Sequence, residues 1–186
     1  AEPIVEELRK RGIPYIIKGL AQLFDAPEIV ALVGLFRYML DEIGGDELKA
    51  LFEEANLLPH PEHFSRAISL LDQGAAFGSD DRWGTYNIQR LYLSVLEALD
   101  IREDTIPGTP ARAELVMYQL GKFSQVISDF ETIYFASSPE AKYKSFVGFL
   151  THQAPSYYDE SDEDSGYATP DAVTLTTVHR SKGMQW

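Results

Sequence analysis

Apolar positions along this chain change their spacing twice, and the changes divide it into three parts. Val5 to Arg11 reads as a short helix stopped by Gly12, and Ile13 to Lys18 comes next as a strand closed by Gly19. Asp25 and Pro27 then open a helix from Glu28 to about Ile43, with proline accepted in the first turn because no helical N–H is lost there. Its Ile29, Val30, Leu32, Val33, Phe36, Met39, Leu40 and Ile43 exceed a single stripe. A helix of that kind is expected to be buried on more than one side.

Past Gly44 and Gly45 the helical period takes over, with helices predicted over 46–57, 61–73, 86–100, 110–135 and 139–152. Ile88, Leu91, Tyr92, Val95, Leu96 and Leu99 mark one buried face, and Leu115, Leu120, Phe123, Val126, Ile127, Phe130 and Tyr134 another. Gln153 to Pro170 carries the run Asp159 to Asp164, where charge repulsion, Ser, Gly and Pro favour a flexible acidic loop. A β-branched stretch, Val173 to Val178, returns as a buried strand. The expectation is a mainly α protein. A helical insertion, 44–170 (its loop 153–170), separates two ends, 1–43 and 171–186, whose strands pair as a small parallel remnant of an α/β domain.

Composition narrows this further. Apolar residues make up 45% and aromatics 12% of 186 residues, which suits a packed core rather than disorder. There is no cysteine, so disulfides and thiolate metal sites are excluded. No apolar run reaches the roughly 20 residues of a membrane span, and no signal peptide is evident, so a cytoplasmic setting without a membrane partner is expected.

Charge is unevenly spread within the net −13. Residues 1–40 balance, residues 41–170 hold nine Lys/Arg against 23 Asp/Glu, and residues 171–186 are slightly basic. Affinity for a phosphate backbone rests on cations, so any such contact is expected at the ends rather than in the middle.

The most informative chemistry lies just past the last strand. Thr176 and Thr177 offer hydroxyls, His179 an imidazole, Arg180 and Lys182 positive charge, and Gly183 a backbone that a ligand can approach closely. Strand ends of open α/β sheets are where nucleotides and phosphates bind. An ordinary strand-to-helix turn with solvated basic residues fits the same pattern.

The stretch from Val173 through Thr177, His179, Lys182, Gly183 and Gln185 to Trp186 closely resembles motif V of the UvrD/Rep/PcrA-like superfamily 1A DNA helicases, roughly V-x-L-M-T-x-H-x-x-K-G-L-E-[FWY]. Gly12-Ile-Pro-Tyr15 with Gly19, Leu23-Phe24 and Glu28-Ile29 resembles the same family's G-I-P-Y-x-x-x-G stretch and its F-F-x-x-x-E-[IV] continuation. Phe123 to Glu131 and Phe146 to Leu150 resemble helical phrases of its insertion. The resemblance implies that 1–43 and 171–186 belong to the second RecA-like domain, called 2A, and that 44–170 is the helical 2B insertion. It implies DNA contacts at Thr176, Thr177, His179, Arg180 and Lys182, and nucleotide contacts at Gly183 and Gln185. The parent would bind ATP and Mg²⁺, translocate on single-stranded DNA and unwind duplex DNA, as a nucleoid-associated enzyme of DNA repair. The chain ending at Trp186 would be a piece cut through a helicase motif and inactive alone.

Departures from the family pattern are specific. Gln185 stands where the family has Glu near the ribose, Ala26 and Ala31 replace an Arg and an Asp, and a Gly-Ile-Gly duplex-binding phrase is missing. Elsewhere, His60 and His63 have helical ligand spacing but read as capping or surface groups. The acidic run lacks the calcium-loop glycine and terminal glutamate, and Lys182-Gly183 lacks the rest of a phosphate loop. Trp83 and most tyrosines read as core or interface, and Tyr157 and Tyr158 as an exposed partner site. An alternative reading makes the body an acidic helical interaction or regulatory module that recruits a basic protein.

Overall fold

The computed structural model describes residues 2–13, 15–17, 23–75, 87–133, 139–155 and 172–175. It is mainly helical. In order come α1 (Glu2–Lys10), β1 (Tyr15–Ile17), α2 (Pro27–Met39), α3 (Gly45–Glu54), a 3₁₀ turn (Pro61–His63) running into α4 (Phe64–Ala75), α5 (Ile88–Ala98), α6 (Pro110–Ile133), α7 (Pro139–His152) and β2 (Val173–Leu175).

The helix α2 is the axis of the body. Pro27 sets its first turn behind an extended Ala26, and Glu28 places an acid near the positive end of the helix dipole. Its Ile29, Leu32, Leu35 and Phe36 are all essentially inaccessible to solvent. The helix packs against α3, α4, α6 and α7, so the excess of apolar positions over one stripe has a structural counterpart.

Aromatic rings form the densest part of the core. Phe36 of α2 meets Phe146 of α7 edge-on at 4.9 Å, and Phe130 of α6 approaches the same Phe146 at 4.9 Å. Each buried phenylalanine contributes about 1.5–3 kcal/mol of hydrophobic free energy. At the α5–α6 contact, Tyr92 lies against Phe123 at 5.7 Å, and its hydroxyl donates to the Leu120 carbonyl at 2.9 Å. That bond satisfies a phenol that would otherwise be buried without a partner.

The helix ends differ from the sequence expectation for one repeated reason. Helices expected to reach Ile43, residue 57 and residue 100 stop at Met39, Glu54 and Ala98. Shortly after each end the backbone turns left-handed, at Asp41 (φ 58°), Asn56 (φ 49°) and Asp100 (φ 57°). Two bonds then close each end: Asp41 to Tyr38 and Glu42 to Arg37, Asn56 to Glu53 and Leu57 to Phe52, Asp100 to Glu97 and Ile101 to Leu96. This is the Schellman closure, with Asp or Asn in the place glycine usually takes. Leu57 and Ile101, next after the left-handed residue, are buried, so an apolar contact seals two of the three ends.

Two helix starts, those of α5 and α6, are capped by short polar side chains. The Asn87 side chain accepts the Arg90 N–H at 2.7 Å to begin α5, and Thr109 accepts the Arg112 N–H at 3.2 Å ahead of Pro110. Strands β1 and β2 pair in parallel over three residues each, with Tyr15 opposite Val173, Ile16 opposite Thr174 and Ile17 opposite Leu175. Among the described residues no helix is long and apolar enough to cross a membrane.

Candidate functional site

The strand β2 supplies the described edge of the expected site. It ends at Leu175, level with Ile17 of β1, and Val173 at its start is 43% exposed. Thr176, Thr177, His179, Arg180, Lys182, Gly183 and Gln185 lie outside the described residues, as do Trp83, Tyr157, Tyr158 and the run Asp159 to Asp164.

Of the N-terminal stretch singled out in the sequence, Pro14 and Gly19 lie outside the described residues, Gly12 and Ile13 are exposed, and Leu23, Glu28 and Ile29 are buried. Ala31 is fully buried inside α2, and Glu28 is buried in the first turn of the same helix. A side chain at position 31 faces packed apolar neighbours rather than a ligand. Ala26, which precedes α2 as its extended N-cap residue, is half-buried. Neither Ala26 nor Ala31 brings charge to this segment.

His60 and His63 come together, with ring centroids 5.0 Å apart. The His60 ring lies between two carboxylates, Glu62 Oε1 at 3.4 Å from Nδ1 and Asp100 Oδ2 at 3.5 Å from Nε2. Asp100 also takes the Arg102 guanidinium at 2.7 Å. The Glu62 carboxyl is held below the usual carboxylate range by its own backbone amide and by the two histidines. This cluster ties the turn before α4 to the end of α5. Among the described residues no three His, Cys, Asp or Glu side chains converge as metal ligands would.

A groove of about 400 Å³ opens where α2, α4 and α7 meet. Met39, Leu40 and Ala75 give it apolar surface, and Asp41, Glu42, Asp72, Glu140 and Lys144 give it charge. The Tyr38 hydroxyl donates to Asp72 Oδ1 at 2.8 Å, which raises the tyrosine pKa because ionising the phenol would lose that bond beside a negative charge.

Several basic side chains of the body are engaged with its own groups. Arg37 pairs with Glu42 at 3.3 Å, Lys49 with Glu53 at 3.6 Å, and Arg102 with Asp100 and Asp104. Arg112 donates to the carbonyls of Pro107 at 2.6 Å and Ala55 at 2.8 Å, closing the C-terminal end of α3 from the start of α6. Lys142 of α7 bonds Glu131 of α6, whose carboxylate also accepts the Ile88 and Gln89 amides of α5 at 2.9 and 3.2 Å.

Periodicity carries no trace of these tethers. Glu131 lies 43 residues from Ile88 and Arg112 lies 57 from Ala55, and no local pattern links such positions. Comparison with family models, curated proteins and solved structures found no match to the chain.

Proposed function

We propose that this chain supplies the helical insertion and flanking RecA-like segments of a UvrD-like ATP-dependent DNA helicase. The reading rests on the Thr-Thr-Val-His-Arg-Ser-Lys-Gly run from Thr176 to Gly183. One observation supports the domain order: β1 and β2 pair in parallel although the whole helical body lies between them. A body that leaves one strand and returns to its neighbour is an insertion in topology. On this reading the strand pair is the remnant of an α/β domain. Its C-terminal end presents Thr176, Thr177, His179, Arg180 and Lys182 to single-stranded DNA, and Gly183 and Gln185 to the nucleotide.

The residues of this chain do not by themselves fit ATP with Mg²⁺, because the sequence has no phosphate loop to cradle the phosphates. ATP and Mg²⁺ belong, on this proposal, to the parent protein, where hydrolysis drives translocation. The chain's own residues position DNA and connect that site to the helical body. Fluorescence anisotropy with labelled single-stranded DNA tests the proposal. Weak, salt-dependent binding that Lys182→Ala reduces is expected, and tight binding indifferent to salt would sink it.

A second reading has its own observation. Arg37, Lys49, Arg102 and Lys142 are engaged internally, in a body whose net −14 over residues 41–170 suits a basic protein partner. Reversing the charges of residues 159–164 and repeating a pull-down separates the cases. Unchanged capture removes that loop from any recruiting role.

A further inference from the structure

We draw no further inference here: the strongest candidate, the groove bounded by Tyr38, Asp41, Glu42, Asp72, Glu140 and Lys144 where α2, α4 and α7 meet, is an acidic cluster in which Glu42 and Asp72 already serve Arg37 and Tyr38, and nothing in the structure points to a ligand that covers it.

Discussion

Glu131 near the end of α6 accepts the backbone N–H of Ile88, at the first turn of α5, at 2.9 Å. The same carboxylate takes the Gln89 amide and the Lys142 ammonium, so three helices meet on one side chain that is only 16% exposed. An acid at a helix N-terminus satisfies orphan amides and interacts favourably with the dipole.

Replacing Glu131 with alanine is expected to cost about 2–3 kcal/mol, because it removes the carboxylate that accepts from two α5 amides and from Lys142. Glu131→Gln keeps one carbonyl acceptor and loses the charge, so roughly half that cost is expected. Urea denaturation of both variants checks this. Equal stability of Glu131→Ala and the parent chain would show that the three-helix junction contributes nothing.

Arg112 offers a parallel case with neutral acceptors. Its guanidinium reaches Pro107 and Ala55 in two directions, which a planar fork does and a single ammonium does not. Arg112→Ala is expected to lower stability by about 1.5–3 kcal/mol, and Arg112→Lys to recover less than half of it. Thermal unfolding monitored by circular dichroism measures both. Full recovery by lysine would mean that charge, not geometry, closes the end of α3.

The helices were legible in the sequence because their apolar residues recur at the helical period, and α7 spans residues 139–152 as the pattern predicts. The ends were less legible. Asp41, Asn56 and Asp100 adopt a conformation that glycine signals and that aspartate and asparagine adopt without announcing it. Asn87 adds a case at the other end, since the helix was expected from residue 86 and the Asn87 side chain instead caps it so that α5 starts at Ile88. The tethers at Glu131 and Arg112 are purely tertiary. The motif from Thr176 to Gln185 was legible as chemistry, and it lies outside the described residues.

Two glycines inside helices should respond to alanine in opposite directions. A Cβ on Gly148 in α7 would meet nothing within 4 Å, so Gly148→Ala should stabilise by about 0.5–1 kcal/mol through helix propensity and a less flexible unfolded chain. A Cβ on Gly34 in α2 would lie 2.9 Å from Leu51 Cδ1 and 3.1 Å from Leu48 Cδ1. Overpacking costs about 1–3 kcal/mol, which outweighs the propensity gain, so Gly34→Ala should destabilise by about 1 kcal/mol. A stabilised Gly34→Ala would show that the α2–α3 contact yields easily.

Three described tyrosines should resist alkaline titration. Burial raises the pKa of Tyr92 and, with Glu131 nearby, of Tyr143, while the bond to Asp72 raises Tyr38. A raised folded-state pKa means that the native state holds its proton more tightly than the unfolded chain. The stability this adds is fully present below the ordinary tyrosine value of about 10 and is lost as pH rises through the folded value. Absorbance at a phenolate wavelength should therefore still be rising above the ordinary tyrosine value, with a second, late phase that comes together with loss of helix. Tyr92→Phe should shrink the second phase by one phenol, and a single phase centred at the ordinary value would refute the assignment.

On the helicase proposal, where DNA would touch the chain is a question of charge. The body between residues 41 and 170 carries net −14, while Arg180 and Lys182 come after β2 in the slightly basic end. Binding to single strands weakens with salt by about 0.7 in logarithmic slope for each phosphate neutralised. Lys182→Ala should lower that slope by about 0.7 and weaken binding uniformly across sequences, as loss of a phosphate contact does. Arg66→Ala and Arg90→Ala, on α4 and at the start of α5, should leave both affinity and slope unchanged. If instead the body variants lower the slope and Lys182→Ala does not, the helical body itself is the DNA surface. The motif after β2 would then be an ordinary solvated turn.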